Sequence, residues 1–316
     1  MTAAVATLPP PVGARTLELR GLRLNSAFQP IVSLSHRRVV GHEALLRATD
    51  AQGHAVPPLQ ALALATGAAA EARLDTDCLQ LHVANFGRQA QGAQWLFANL
   101  RPGTFLRGAR EAVIAQLSTA LHEHGLTPQQ LVLEVTEDAV ADPSAFESAG
   151  QAAREAGCLL ALDDFGAGHS NFDRVWRIRP DIVKLDRSLV QRGALDGGVA
   201  RVIAQMVSLL HQCGALVLME GIETADEANV ALDCDVDLVQ GYRFGRPMPQ
   251  LQGTERLSRP LVSAWSQFER RAGDSSRAHR ERIAPYLNAI GHGGSLIEAG
   301  RSVAAAAGPR PRARCR

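Results

Sequence analysis

Short apolar runs alternate with longer stretches of helical periodicity from about residue 28 to residue 249. Unbroken apolar runs of about 4–8 residues are typical of strands buried on both faces, and apolar residues three or four apart indicate helices. Strands that alternate with helices predict parallel βα units. The predicted strands cover residues 28–34, 39–47, 95–100, 131–137, 159–164, 181–186, 216–223 and 238–242.

The start and stop signals of helices lie between these strands. Gly125, Gly157 and Gly214 stand where helices are expected to end. The predicted helices cover residues 58–87, 111–123 and 142–157, and Thr224 to Glu227 matches the capping box of another. Apolar residues at helical spacing predict one face of a helix before Gly214, and these are Val199, Val202, Ile203, Met206, Leu209, Leu210 and Cys213.

Six of the predicted strands carry a polar residue at or near their C-terminal end. These residues are Asn99, Glu134, Asp163, Lys184, Glu220 and Gln240. In a (β/α)8 barrel all such ends meet on one rim, where barrel enzymes carry their active sites. A doubly wound open sheet would gather only a few of them at its switch point, and the sequence has no Gly-rich phosphate loop. The pattern therefore favours an α/β fold of the (β/α)8 TIM-like barrel class.

The composition is that of an ordinary globular protein, with 46% hydrophobic and 21% charged residues in 316. The formal net charge of +1 gives no sign of a polyanionic partner, so no specific binding of DNA or membranes is expected. The five cysteines are odd in number and scattered, and no signal peptide or membrane-spanning run is evident. These features predict a cytoplasmic protein, because scattered cysteines suit a reducing compartment.

Three segments are expected from the distribution of these patterns. Residues 1–20 are predicted to be a flexible leader, and residues 21–252 contain the alternating strands and helices of one domain. Residues 253–316 are predicted to be a C-terminal extension, partly helical and then disordered, because the end of the chain is rich in Arg, Pro and Ala.

Two adjacent carboxylates, Asp163 and Asp164, separate an apolar strand from the turn Gly166-Ala167-Gly168. Both can face one site only where the strand ends and the backbone turns, and glycines permit such a turn. Crowded carboxylates repel one another unless a cation neutralises them, and hard divalent ions prefer oxygen ligands. A solvated turn is the alternative for this pair in isolation.

Further oxygen-bearing side chains at the predicted rim strengthen the metal interpretation. With Glu43, Asn99, Glu134 and Glu220, the pair supplies more oxygen ligands than one octahedral ion needs. Two Mg²⁺ or Mn²⁺ ions are therefore predicted, of the kind that serve phosphoryl displacement.

Eight motifs resemble, in order and spacing, those of the EAL-domain family, the cyclic di-GMP phosphodiesterases of bacteria. The resemblance covers about residues 25–250. Departures at His42, Met219 and His169 remove no expected ligand. The motifs are Gln29-Pro30-Ile31-Val32, Glu43-Ala44-Leu45-Leu46-Arg47, Asn99, Glu134-Val135-Thr136-Glu137, Asp163 to Gly168, Lys184-Leu185-Asp186, Glu220-Gly221-Ile222-Glu223-Thr224 and Gln240-Gly241-Tyr242.

This resemblance implies a barrel whose first strand runs antiparallel to the others, which agrees with the hairpin predicted at residues 28–47. It implies metal-dependent hydrolysis of one phosphodiester bond of cyclic di-GMP, giving linear pGpG. The implied ligands of the Mg²⁺ or Mn²⁺ ions are Glu43, Asn99, Glu134, Asp163, Asp164 and Glu220.

The resemblance also implies roles for the neighbouring side chains. Lys184 is the expected active-site lysine, Gln240 orients water, and Glu220 is a candidate general base as well as a ligand. Contacts to the dinucleotide are expected from Gln29, Leu45 and Arg47. Glu137 would tie down the loop after Asp164 and couple the site to a dimer interface, while Asp186 and Glu223 are expected near the metal side of the site.

Other functions remain open at this point. A catalytically silent EAL module could act as a cyclic di-GMP sensor or a protein-interaction domain, but such modules commonly lose a metal ligand. All six expected ligands and Lys184 are present, which favours the enzyme. Another metal-using barrel enzyme, such as a lyase, would not require Gln29 together with Arg47. A homodimer is a further expectation from the family. A regulatory protein partner is also expected, because no companion sensory or cyclase domain fits in the remaining residues, and oligomerisation or control of expression are the alternatives.

Overall fold

Eight strands close into a barrel in the computed structural model, which describes residues 11–90, 92–108, 112–136, 143–168, 172–252, 281–284 and 286–287. The strands are β1 Leu17–Leu19, β2 Leu22–Ser33, β3 Arg38–Thr49, β4 Ala55–Val56, β5 Trp95–Asn99, β6 Leu131–Thr136, β7 Leu159–Phe165, β8 Ile182–Leu185, β9 Leu216–Met219 and β10 Leu238–Val239. The helices are α1 Pro58–Leu62, α2 Ala68–Gly87, α3 Pro102–Gly108, α4 Ala112–Glu123, α5 Pro143–Glu155, α6 Phe172–Ile178, α7 Arg187–Leu195, α8 Gly197–Gln212 and α9 Ala225–Asp233.

The long strand β2 closes the barrel. It pairs antiparallel with β3 on one side and antiparallel with β10 on the other, whereas β3, β5, β6, β7, β8, β9 and β10 run parallel to their neighbours in that order. The barrel prediction and the antiparallel first strand are therefore confirmed. In the β2–β3 register Gln29 lies opposite Glu43, so the hairpin sets both side chains at one level of the barrel.

Both expected domain boundaries fall beside packed elements. Strand β1 lies within the expected leader and pairs with β2, so residues 17–19 belong to the sheet. Beyond residue 252, residues 281–284 and 286–287 are helical and pack against the barrel. Residues 1–10 of the expected leader and residues 253–280, 285 and 288–316 of the expected extension lie outside the described part of the chain.

The helices differ from the prediction in two ways. The helical region predicted at 58–87 is interrupted, because Gly67 has a φ of +87° just before α2. On α8 the residues buried against the rest of the protein are Ile203, Val207 and Leu210, whereas Val202 is 63% exposed. The predicted apolar face was too wide, because α8 packs onto α7, β9 and α9 and leaves Val202 and Leu209 exposed.

The hydrophobic core has an outer and an inner layer. The outer layer lies between the barrel strands and the surrounding helices, so strands such as β7 are apolar on both faces. The inner layer fills the barrel with side chains from the starts of the parallel strands, including Trp95, Leu159 and Ile182. The carboxylates and amides of the predicted rim lie at the other end of the barrel, where the strands finish.

A C-terminal helical segment covers the barrel end opposite to this polar rim. Ile283, Tyr286 and Leu287 are buried in the inner layer, and the Tyr286 ring lies edge-on to Trp95 at 6.5 Å between centroids. Nε of Arg282 in this segment donates a hydrogen bond of 2.9 Å to Asp237 before β10. None of the helices in the described ranges has the length and hydropathy needed to cross a bilayer.

Candidate active site

A buried lysine lies at the centre of four carboxylates on the rim where the parallel strands end. Nζ of Lys184 on β8 is 2.6 Å from Oε1 of Glu134, 2.7 Å from Oε1 of Glu220, 3.1 Å from Oδ1 of Asp163 and 3.9 Å from Oε1 of Glu43. The lysine side chain is only 1% exposed, and that of Glu220 is the most open of the four carboxylates at 22%. Side chains from β3, β6, β7 and β8 and from the end of β9 therefore meet at one point.

Two amide side chains extend this cluster through Glu43. Nδ2 of Asn99 donates a hydrogen bond of 3.1 Å to Oε1 of Glu43, and Nε2 of Gln240 donates one of 2.7 Å to Oε2. Gln240 is buried, whereas Asn99 lies exposed at the end of β5. All six strand-end residues singled out in the sequence are thus brought together with Glu43, as the barrel prediction required.

The two adjacent aspartates lie in a bulge, and here the structure corrects the expected backbone. Strand β7 continues through both residues to Phe165, and its pairing with β8 is irregular between Leu162 and Phe165. Asp164 has a φ of +59°, and its N–H donates to Oδ1 of Asp163 at 3.0 Å. The bulge, not the following glycines, places two consecutive carboxylates at the rim, since an extra residue breaks the alternation of a strand.

Position 166, directly after the strand, nevertheless requires a glycine. Its φ is +97°, and a Cβ added there would lie 2.3 Å from Cδ1 of Leu189 on α7. The turn after the aspartates therefore packs directly against α7, and any side chain at this position would displace one or the other.

Burial and mutual repulsion shift the pKa values of this cluster. Burial raises the pKa of Glu134 well above its usual range, and the positive charge of Lys184 opposes the shift. Burial raises the pKa of Glu220 to about 8, opposed by Lys184 and reinforced by Asp163 and Glu43. Burial acts to lower the pKa of Lys184, but the surrounding carboxylates outweigh it and raise that pKa well above its usual range. One cation facing four carboxylates leaves a site that favours protons or a further cation.

The donor atoms of this cluster suit a hard divalent ion. They are carboxylate and amide oxygens, the ligands that Mg²⁺ and Mn²⁺ prefer. Among the described residues, neither oxygen of the buried Glu134 accepts a hydrogen bond of suitable geometry, although Oε1 lies near Nζ of Lys184. Within the same ranges no three Asp, Glu, His or Cys side chains are already arranged as ligands of one ion. Three of the carboxylates turn instead toward the lysine ammonium group.

The residues expected to contact a dinucleotide lie on the hairpin beside this cluster. Gln29 is buried on β2, and its Nε2 donates to the carbonyl of Gly245 at 3.2 Å. Arg47 and Leu45 are half-buried on β3, and Nη1 of Arg47 donates to the carbonyl of Leu46 at 2.9 Å. Gln29 and Glu43 are register partners, so these positions continue the rim of the carboxylate cluster along the hairpin.

The two remaining acidic candidates have structural contacts. Oδ1 of Asp186 accepts a hydrogen bond from the Ser188 N–H at 2.9 Å and thereby caps α7. Glu223 lies 3.9 Å from Nη2 of Arg187 and precedes the capping box of α9. Glu137 and His169 lie outside the described residues.

Sequence reasoning missed a buried clamp behind Asn99. Asp75 on α2 accepts hydrogen bonds from Nε of Arg101 at 2.8 and 2.9 Å and another from the hydroxyl of Thr104. The only sequence signal was Asp75 beside Leu74 in a largely apolar helix, because a carboxylate that is buried there requires a partner.

Fold and site together define the class: a (β/α)8 barrel protein with a buried lysine among four carboxylates on the C-terminal rim of its strands. Comparison with known sequences refines this assignment. The EAL domain family matches residues 14–247, and the chain belongs to that family.

Named relatives and solved structures are similar to this chain over about three quarters of its length. The cyclic di-GMP phosphodiesterase RocR of Pseudomonas aeruginosa is 30% identical over 239 residues, which are 73% of this chain and 60% of RocR. The Klebsiella pneumoniae BlrP1 complex with manganese and cyclic di-GMP superposes with a TM-score of 0.66 at 31% identity, covering 78% of this chain and 60% of that one. Its calcium and cyclic di-GMP complex has a TM-score of 0.65 at 31% identity, with coverages of 76% and 61%. The chain thus spans about three fifths of each of these proteins.

Proposed function

We propose that this protein hydrolyses one phosphodiester bond of cyclic di-GMP, giving linear pGpG, in a reaction that depends on divalent metal ions. The observation that carries this proposal is the convergence of four carboxylates and two amides around Lys184 in a barrel of the EAL family. Relatives at about 30% identity named cyclic di-GMP phosphodiesterases support it. Cyclic di-GMP in the complexes of BlrP1 supports the choice of ligand.

Two Mg²⁺ or Mn²⁺ ions are the proposed cofactors. The residues that would hold them are Glu43, Asn99, Glu134, Asp163, Asp164 and Glu220. When bound, such ions polarise phosphoryl oxygens and act as Lewis acids. The excess of carboxylates over Lys184 supports this proposal, and binding would require the carboxylates to turn from the ammonium group toward the ions.

Side chains of the protein would perform the other parts of the reaction. The ammonium group of Lys184 would stabilise negative charge that develops on the phosphoryl group, since a fixed cation in a buried site needs no reorganisation. Gln240, held by Glu43, would orient a water molecule, and Glu220 would accept its proton or serve as a ligand. A raised pKa suits Glu220 for this purpose, because a base works best when its pKa is near the operating pH.

The hairpin residues would hold the substrate. Arg47 would bind a phosphate, because a guanidinium group can donate two parallel hydrogen bonds to phosphate oxygens. Gln29 and Leu45 would contact the rest of the dinucleotide, Gln29 being positioned by the carbonyl of Gly245. Glu137 is proposed to tie the loop after Asp164 to a dimer interface. A homodimer, a regulatory protein partner and a cytoplasmic location complete the proposal.

Hydrolysis of cyclic di-GMP by the purified chain tests this function. We expect pGpG to form with Mg²⁺ or Mn²⁺ and to stop forming in excess chelator. We expect Ca²⁺ to permit binding without turnover, because it relaxes the octahedral geometry that Mg²⁺ demands. Binding without turnover in every metal would instead identify a sensor. The absence of both would leave a protein-interaction role, and light scattering of the same sample tests the dimer.

A further inference from the structure

A carboxylate–guanidinium clamp joins helix α2 to the segment that follows β5. Asp75 is buried on α2, and both of its oxygens accept hydrogen bonds from Nε of Arg101. Nη2 of the same guanidinium donates to the carbonyl of Glu71, one helical turn earlier, at 2.7 Å. The hydroxyl of Thr104, itself buried, donates to the second oxygen of Asp75. A buried carboxylate that is fully paired in this way holds its partners in one geometry.

The clamped segment begins at a candidate metal ligand. Asn99 is the last residue of β5. The N–H of the next residue, Leu100, donates a hydrogen bond of 2.9 Å to the carbonyl of Glu134, and Arg101 follows Leu100 in the chain. The carbonyl of Arg101 accepts the N–H groups of Thr104 and Phe105 at 2.9 Å in α3. The backbone that carries Asn99 is therefore tied to β6 on one side and to α2 on the other.

Few contacts hold the side chain of Asn99 in place. It is exposed, and its Nδ2 donates to Glu43, which leaves Oδ1 as the atom able to ligate a cation. Groups behind a metal ligand fix its orientation, and their loss typically weakens metal affinity about 10–100-fold. Together with the hydrogen bond from the Leu100 N–H to Glu134, the clamp fixes the backbone that follows this exposed ligand.

We infer that Asp75 is a positioning residue, which acts through Arg101 to hold Asn99 in place for a divalent ion. The inference rests on the proposed function, because that proposal assigns Asn99 to the metal. It adds a residue on α2, outside the carboxylate cluster, to those on which metal binding depends.

The test is titration of the full chain with MnCl2 by calorimetry, without substrate. We expect Asp75→Asn to raise the dissociation constant for Mn²⁺ about 10-fold or more. Asp173→Asn is the matched control, since it removes a carboxylate from an exposed ion pair with Arg177 at 2.6 Å, and it should bind Mn²⁺ like the wild type. In hydrolysis assays, the Mn²⁺ concentration for half-maximal rate should rise in Asp75→Asn, while kcat at saturating Mn²⁺ stays near that of the wild type.

A double-mutant cycle separates positioning from general support of the fold. If Asp75 acts through Asn99, then Asp75→Asn should weaken Mn²⁺ binding no further in a chain that already carries Asn99→Ala. An equal weakening in both backgrounds would overturn the inference. If Asp75→Asn does not fold, Thr104→Val can replace it in the double-mutant cycle, because it removes the hydroxyl that donates to Asp75 but leaves the Asp75–Arg101 ion pair intact. A wild type that binds Mn²⁺ without hydrolysing cyclic di-GMP would overturn the proposed function but leave this cycle interpretable.

Discussion

Replacing Lys184 by methionine gives the sharpest test of how the carboxylate cluster works. The lysine is the cation that lies within 4 Å of four carboxylates, three of them within 3.1 Å. Removing one partner of a buried ion pair costs about 3–5 kcal/mol, because the remaining charges are left without compensation. Each kcal/mol lowers the unfolding midpoint of a domain this large by about 2–4 °C. The midpoint in chelator should therefore fall by roughly 6–20 °C.

Divalent metal ions should restore much of the thermal stability that Lys184→Met loses. In the wild type, Lys184 and a divalent ion would compete for the same carboxylate oxygens, whereas in Lys184→Met the ion would have them alone. Metal at 100 times its dissociation constant stabilises a protein by about 2.7 kcal/mol, and a tighter constant raises this value. We therefore expect Mg²⁺ to raise the midpoint of Lys184→Met by more than that of the wild type. The turnover of Lys184→Met should fall by about 10²–10³-fold, the usual cost of removing a preorganised electrostatic group.

The assay is thermal unfolding in EDTA and in Mg²⁺, with pGpG formation followed by chromatography on the same samples. Arg177→Met is the matched control, because it removes an exposed cation whose ion pair with Asp173 contributes little. An equal Mg²⁺-induced rise in the wild type and Lys184→Met would refute the idea that lysine and metal share these oxygens. Full turnover by Lys184→Met would refute its proposed role in the reaction.

Three further predictions follow from the same structure. Asp163→Ala should abolish hydrolysis by removing a ligand, and full turnover by this purified variant would contradict the site assignment. The Mg²⁺ concentration for half-maximal rate should fall as the pH rises from about 6 to 9, because Glu220, with a pKa of about 8, must lose its proton to bind a cation. An affinity independent of pH would show that Glu220 is not a ligand. Tyr286→Ala should lower the free energy of unfolding in urea by about 3 kcal/mol, in line with aromatic truncations in other cores. Its kcat should stay unchanged, and an unaltered urea midpoint would show that the C-terminal segment does not stabilise the barrel.

The barrel and its rim could be predicted because parallel strands buried on both faces leave a periodic signal. The apolar run Leu159 to Leu162 and its counterparts mark strands independently of their neighbours, and polar residues at their ends must meet once the sheet closes. The antiparallel pairing of β2 with β3 was predicted from the short turn between them, as a hairpin at residues 28–47. The antiparallel pairing of β2 with β10, which closes the barrel, came only from the family resemblance.

The bulge at Asp163 and Asp164 was not predictable in the same way. The glycines after the pair offered a simpler local reason for two acids to share a site, but Asp164 itself takes the left-handed conformation. The pairing of β7 with β8 determines the backbone conformation of Asp164, and this long-range pairing cannot be read from the local sequence. The clamp of Asp75 and Arg101 was not predictable either, because its two residues come from separate elements of the chain.

The C-terminal segment has a consequence for the order in which this protein forms during synthesis. Trp95, on one of the first barrel strands, finds its ring partner Tyr286 only after all eight barrel strands have been made. Until then, the apolar end of the barrel lacks its cover and presents Trp95 and its neighbours to other chains. Such late, long-range contacts slow folding and expose surfaces that promote association. A nascent chain halted after the last barrel strand would therefore be the form of this protein most in need of a chaperone.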